Sequence, residues 1–422
     1  MSRFARKKGD PSVKPVEKIE VSDKNKKLRI ALIALLLVVG GVLIATSVAN
    51  MLTTPPGWET IQANAAAQDT CAGEFVFLYL LGEGEQAANL EQRAVTQTYT
   101  QATTDAFQLF HEEKLFGQLH NVAYLNQHPN EEVEVPEALY KAFQLLADYD
   151  NRALFAAPIY REYVGMFLCE EDQSAELYDP EKNSEQAAYF SQVLTFTGDP
   201  NAVSLELLGD NRVKLAVSEE YLQFAEEKEI AAFIDFYWMK NAFVADYLAD
   251  AMIQAGYTKG TISSFDGFCR NLDSTDRTYE MNIFDRVGQT VYQGGTFSYS
   301  KVKSFVTLRN YPTSSLAVQL YYQWGDGSYT SCHIDPADGK SKAVCNDFTG
   351  YSRVLTCGET LMRLYPVYVS DAWNEELIQQ LPSNGVETVY CKDSTVYTSD
   401  QSIAVSGLFQ KEQVKYTWQP AK

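Results

Sequence analysis

The sequence predicts an α+β body behind one N-terminal transmembrane helix. Three observations predict it. An uncharged run, "IALIALLLVVGGVLIATSV" from Ile30 to Val48, spans 19 residues, close to the ~20 that cross a bilayer as a helix. Long stretches with helical spacing follow, first from about Glu85 to Glu113 and then from Val135 to Tyr149. Residues 278–334 then alternate in strand fashion.

Charge fixes the orientation of the span. Residues 1–30 hold ten Lys/Arg and four Asp/Glu, a balance of +6, so the remainder of a chain at −20 carries −26. Lys24, Lys26, Lys27 and Arg29 crowd the N-terminal flank of the apolar run. Positive flanks stay in the cytoplasm, which places the acidic body outside. The alternative is a cleaved signal peptide, whose apolar region is normally shorter. The implied layout is a disordered basic tip at 1–27, a transmembrane helix at 28–50, a linker at 51–57 and an exported domain at 58–422. An acidic body repels phosphates, which excludes nucleic acid as a partner.

Of the 422 residues, 45% are hydrophobic and 13% aromatic, ample for a packed core. The seven Cys all lie after the apolar run. An oxidising compartment permits disulfides, and buried reduced thiols are the alternative. No CxxC occurs and there are only four His, which speaks against a zinc site.

Along the body, "TTPPG" (Thr53 to Gly57) reads as a stiff linker, and "EFVFLYLLG" (Glu74 to Gly82) as a buried strand. "VPEALYKAFQLLADY" has Pro136 near its first turn and apolar residues at helical spacing. "AVSLELLGDNRVKLAV" (Ala202 to Val217) reads as two strands around a Gly-Asp-Asn turn. Residues 231–264 read as strand, helix, strand: "AAFID", a helix closed by Gly256, then "TISSF". "GDGS" (Gly325 to Ser328) marks a hairpin turn, and a last helix is expected near Trp373–Gln380.

Three of these stretches, in this order, resemble ApbE-type FAD:protein FMN transferases, over roughly Gly57 to Ser399. The first runs from His120 to Tyr149, with Leu125-Asn126 at the family's Leu-Asn. The second is "IDFYWMKNAFVADYLADAMIQAG", which lies without gaps on the family's "lDlGgiAKGyavDra" helix. The third, "WGDGSYTSCHIDPADGK", is similar to the family's "dG.ryhHIiDPrTG". The resemblance implies a flavin-nucleotide cleft bordered by Asp235, Asp246, Ser314, His333, Asp335, Pro336 and Gly339, with Asp235, His333 and Glu359 meeting there. It implies FAD as the ligand of that cleft. Pro336 and Gly339 shape a sharp turn that serves either as a cleft wall or as a plain structural corner, with Asp335 satisfying local N–H groups.

The departures bear on chemistry. Tyr237-Trp238 replace the family's Gly-Gly, Lys240 its Ala, Asn241 its Lys and Ala242 its Gly. Cys332 holds the usual His position, leaving His333 displaced by one, and Asp338 stands where the family has Thr. "TSSLA" (Thr313 to Ala317) lacks the Gly, Asp and Tyr of the family's "TSGdY". In "TCGETLMRLYPVY" Glu359 is the single carboxylate, and Arg363 falls where a metal-binding Thr belongs. Mg²⁺ prefers hard oxygen ligands, so it is implied only where Glu359 and relocated groups rebuild its site. Three functions follow. The first is a degenerate membrane-anchored relative that binds a ligand or partner. The second is a divergent active transferase modifying an exported flavoprotein. The third is a structural cell-surface domain whose cleft is filled by Tyr237 and Trp238.

Overall fold

The computed structural model describes residues 54–84, 86–149, 151–411 and 414–420, together with Leu36, Val39 and Gly40. The expected basic tip and membrane span therefore lie outside the described residues, apart from those three, which are helical. Among the described residues no helix is long and apolar enough to cross a membrane. The residues from Pro55 onward form one unit.

A nine-stranded sheet organises that unit, and its spatial order follows the chain. The strands are β1 (Gly57–Ile61), β2 (Phe75–Leu81), β3 (Gly260–Ser264), β4 (Phe268–Asn271), β5 (Ser304–Arg309), β6 (Asp347–Ser352), β7 (Glu387–Lys392), β8 (Thr395–Thr398) and β9 (Thr417–Pro420). Neighbours pair antiparallel except β8 and β9, which run parallel. Side chains alternate across the central strands, as a period of two demands. Phe268, Val306, Phe348 and Tyr390 enter the main core, while Cys269, Phe305, Tyr351 and Val389 enter a second core.

Helices cover the first face. They include α1 (Ala88–Leu109), α2 (Glu137–Ala147), α3 (Ala157–Phe167), α4 (Ser184–Thr197), α5 (Lys240–Gln254) and α6 (Cys357–Tyr368). The second core lies under a long hairpin, Tyr279–Val287 with Thr290–Tyr299, extended by Ala404–Ser406. Tyr416 is fully buried there, and its hydroxyl donates to Asp285 Oδ2 at 2.9 Å.

Local expectations are met at several elements. Helix α5 ends just before Gly256, whose φ of +86° suits a glycine terminator. The Gly-Asp-Asn turn joins Val203–Gly209 to Arg212–Val217, and "GDGS" joins Tyr321–Gln323 to Tyr329–Ser331. One reading is corrected. "AAFID" is not a strand but an extended loop. Asn126 holds it, its Oδ1 accepting from Phe233 N and Ile234 N at 3.0 Å each while its Nδ2 donates to the Ile234 carbonyl at 3.0 Å. These bonds satisfy backbone groups that a sheet partner would otherwise take. All seven thiols are free.

Candidate functional site

The expected meeting of Asp235, His333 and Glu359 in one cleft does not occur. Asp235 lines a cavity of about 700 Å³ with Glu112, Tyr160, Tyr237 and Lys240. Glu359 lines a second cavity of about 720 Å³ with Asp246, Phe243 and Lys303. His333 lies in neither: it is 5% exposed, edge-on to Trp238 at 5.3 Å and to Tyr368 at 5.2 Å. The physical reason is the pair of aromatics at the foot of α5. Tyr237 stacks on Tyr160 at 4.9 Å, and Trp238 packs on Tyr365 at 5.1 Å, so rings fill the space between His333 and the cavity.

Tyr237 keeps a backbone made for glycine. Its φ is +39°, a left-handed conformation that costs a non-glycine residue about 1–3 kcal/mol. Asp235 Oδ1 steadies the turn by accepting from Tyr237 N at 2.8 Å. Burial, then the charge of Glu112, push the Asp235 carboxyl up to about 7. His333 is pushed the other way by burial, to about 3, and stays neutral.

Asp246 has a task within the fold. It forms an ion pair with Arg270, and its two oxygens accept from Cys357 N at 2.9 Å and Gly358 N at 2.8 Å. A carboxylate at the first N–H groups of a helix satisfies free donors and favours the helix dipole. Glu359 is engaged at the same helix end. Its Oε2 accepts from Thr356 N at 2.7 Å while Thr356 Oγ1 accepts from Glu359 N at 3.2 Å, a reciprocal capping box. Arg363 donates to the Glu359 carbonyl at 2.7 Å and lies over the Tyr149 ring at 5.2 Å.

The turn at Asp335 is built from its own bonds. Asp335 Oδ1 accepts from Ala337 N at 2.9 Å, and Gly339 N donates to the Asp335 carbonyl at 2.8 Å. Pro336 is buried, and Gly339 sits at φ +72° with its virtual Cβ only 3.0 Å from Ile159 of α3. The turn therefore docks on α3 and α4 (Tyr163 Oη donates to the Gly339 carbonyl at 3.1 Å). Asp335, Asp338 and Asp371 bring three carboxylates together, with the Lys342 ammonium 2.5–2.8 Å from each. Exposed Ser314 accepts from Ala317 N at 3.2 Å, starting a short 3₁₀ turn.

Sequence reasoning missed two polar centres. Arg270, 1% exposed in strand β4, is one; a charged residue inside "GFCRN" was the available signal. The other joins Glu74, Asn241 and Asp266. Asn241 Nδ2 donates to Glu74 Oε2 at 3.1 Å and Asp266 Oδ2 at 3.0 Å, and burial pushes the Asp266 carboxyl up to about 7. Nothing local links three residues so far apart in sequence.

The fit to Mg²⁺ is poor. The metal needs carboxylate oxygens free to form part of an octahedral shell. Asp246 and Glu359 are committed to the start of α6, and Asn241 replaces the family Lys with a neutral amide that bridges two carboxylates.

No family model matches the chain, and no curated protein matches it. Among solved structures, the ApbE protein of Thermotoga maritima superposes with a TM-score of 0.50 at 14% identity, covering 83% of this chain and 97% of that one. Similar structures include the flavin transferase ApbE of Vibrio cholerae (10% identity, TM-score 0.49, 83% and 97% covered) and the flavinyl transferase ApbE of Pseudomonas stutzeri (13%, 0.45, 83% and 94%). The Thermotoga structure carries the comparison: the chain has the mixed α/β ApbE fold. Its resemblance in sequence to the ApbE family and its likeness in structure agree.

Proposed function

We propose that this protein is a membrane-anchored, extracytoplasmic ApbE-like pseudoenzyme that binds a ligand or a surface partner and does not transfer FMN. One observation carries the reading: the groups that a metal-assisted transfer requires are spent on the fold. Phosphoryl transfer is catalysed mainly by positioning and by neutralising charge, with metal ions in a leading role. Here the Glu359 carboxylate closes a capping box and Asp246 is tied to Arg270 and the start of α6. The cavity beside Asp235, at about 700 Å³, is of ligand size and favours binding over a purely structural domain. Flavin transfer to an exported flavoprotein, which the resemblance in sequence implies, is the alternative; two of the similar structures are named as flavin or flavinyl transferases.

The test uses the full chain with FAD, Mg²⁺ and an acceptor protein carrying a suitable Thr. In-gel flavin fluorescence of the denatured acceptor should show no band above background, beside a known transferase as control. Several lost groups leave little of an enzyme's ~10⁶-fold or greater acceleration. A fluorescent acceptor band that needs this protein and vanishes with a chelator overturns the reading.

The basic flank before the apolar run motivates the anchored topology. Protease added to intact cells or protoplasts should digest the body and spare the tip. A full-length, protease-resistant chain counts against that orientation.

A further inference from the structure

We propose that the cavity beside Asp235 binds a small zwitterion of the α-amino-acid kind, its carboxylate on Lys240 and its ammonium on Asp235 and Glu112. The proposal rests on the non-catalytic reading above and names the ligand class of that same cavity.

Lys240 is the starting point. It lines the cavity, and its ammonium lies within electrostatic range of Glu74, Glu112 and Asp235. Among the described residues the ammonium forms no ion pair within 4.0 Å and no hydrogen bond. Burial works against this partly exposed ammonium, but the charges of Glu74, Glu112 and Asp235 outweigh it and hold the group above the usual lysine range, charged yet without a hydrogen-bonding partner among the described residues. A carboxylate entering the cavity would supply that partner. Its other cationic wall groups are already engaged: Arg161 pairs with Glu113 at 3.4 Å and Lys228 with Glu227 at 2.9 Å.

The acidic groups decide what accompanies the carboxylate. Asp235 uses Oδ1 for the Tyr237 N–H, and its second oxygen makes no hydrogen bond among the described residues. Glu112 faces the same space. A ligand with an ammonium next to its carboxylate satisfies both signs at once. An amine alone leaves Lys240 unpaired, and an acid alone meets Glu112 and Asp235 without compensation. A dinucleotide is worse placed, because its diphosphate brings two negative charges to one available ammonium. Tyr160 and Tyr237 add a stacked aromatic wall against which a flat or aliphatic side chain would pack, and the buried Tyr237 hydroxyl has no hydrogen-bond partner among the described residues.

The experiment is calorimetric titration of the full chain with L-phenylalanine and glycine, with phenethylamine and 3-phenylpropionate as single-charge controls, and with FAD. L-Phenylalanine or glycine should bind, and both single-charge compounds should bind phenylalanine's site at least about tenfold more weakly. Lys240→Met and Glu112→Gln should each weaken the amino acid by about tenfold or more, with circular dichroism confirming that each variant is folded. If Lys240→Met does not fold, Glu112→Gln decides. Amino-acid binding that ignores the available variants sinks the proposal, as does equal binding of the single-charge controls. Absence of amino-acid binding at millimolar concentration also overturns it, whether or not FAD binds. FMN transfer, read separately by in-gel fluorescence, would instead remove the non-catalytic reading.

Discussion

Replacing Arg270 by Met should lower the stability of the folded body by about 3–5 kcal/mol, the loss typical of breaking one side of a buried ion pair. The guanidinium is 1% exposed, pairs with Asp246 and lies 3.7 Å from Asp250. Without it, the partly buried Asp246 carboxylate keeps, among the described residues, the hydrogen bonds of the two N–H groups of α6 to offset its charge. The effect should appear in urea unfolding as a lower midpoint at an unchanged slope. Adding Asp246→Asn to Arg270→Met should recover part of the loss, because the stranded charge is gone; this coupling is the signature of the pair. A single-variant loss below about 1 kcal/mol would mean that the pair contributes no more than an exposed surface bridge.

Asp266→Asn should stabilise the protein at pH 8 and leave it nearly unchanged at pH 4. Burial, reinforced by the charge of Glu74 and opposed by the Ser264 hydroxyl, pushes the Asp266 carboxyl from 3.8 up to about 7. The folded protein therefore holds this proton between those values while the unfolded chain releases it. The associated stability is present in full below pH 4, is lost as pH rises to about 7, and stays absent above. Asn cannot ionise, so the variant escapes the penalty, worth up to about 4 kcal/mol at pH 8. Asp235 slopes the same way. His333 opposes them on the acid side, since its neutral folded form costs stability as pH falls from 6.5 toward 3. The slopes overlap between about pH 4 and 6.5, where two carboxyls outweigh one imidazole, so the part of wild-type stability that these groups control should be greatest near pH 4, and Asp266→Asn should lessen its fall toward pH 8. Urea unfolding at pH 4, 6 and 8 measures this. Identical wild-type and Asp266→Asn midpoints at pH 8 would show that folding does not raise the Asp266 carboxyl.

Much of the fold was legible because its signals are local. Helix α5 shows in the apolar spacing of Phe243, Leu248 and Met252 and in its Gly256 stop. The Asp335 corner shows in Pro336 and Gly339. The loop at 231–235 was misread because Phe233 and Ile234 carry a strand's apolarity, while the bonds that hold them come from Asn126, over a hundred positions earlier. The site was less legible for the same reason. Its outcome turns on which distant groups meet: Trp238 against His333, Asp246 against the start of α6, Asn241 between Glu74 and Asp266. Residue types at matching positions indicate what the family's cleft requires, not whether the oxygens here are free.

The second core also sets an order of events. Ile403 and Tyr416 enter it, and Tyr416 bonds to Asp285, a residue 131 positions earlier. During synthesis the strands β4 to β7 and the long hairpin are complete before residues 403–416 emerge. Until then one face of the sheet has Phe305, Tyr351 and Val389 without this part of their cover. The nascent chain therefore passes through an interval in which this core is still open on one side, and the late segment acts as the clasp that closes it.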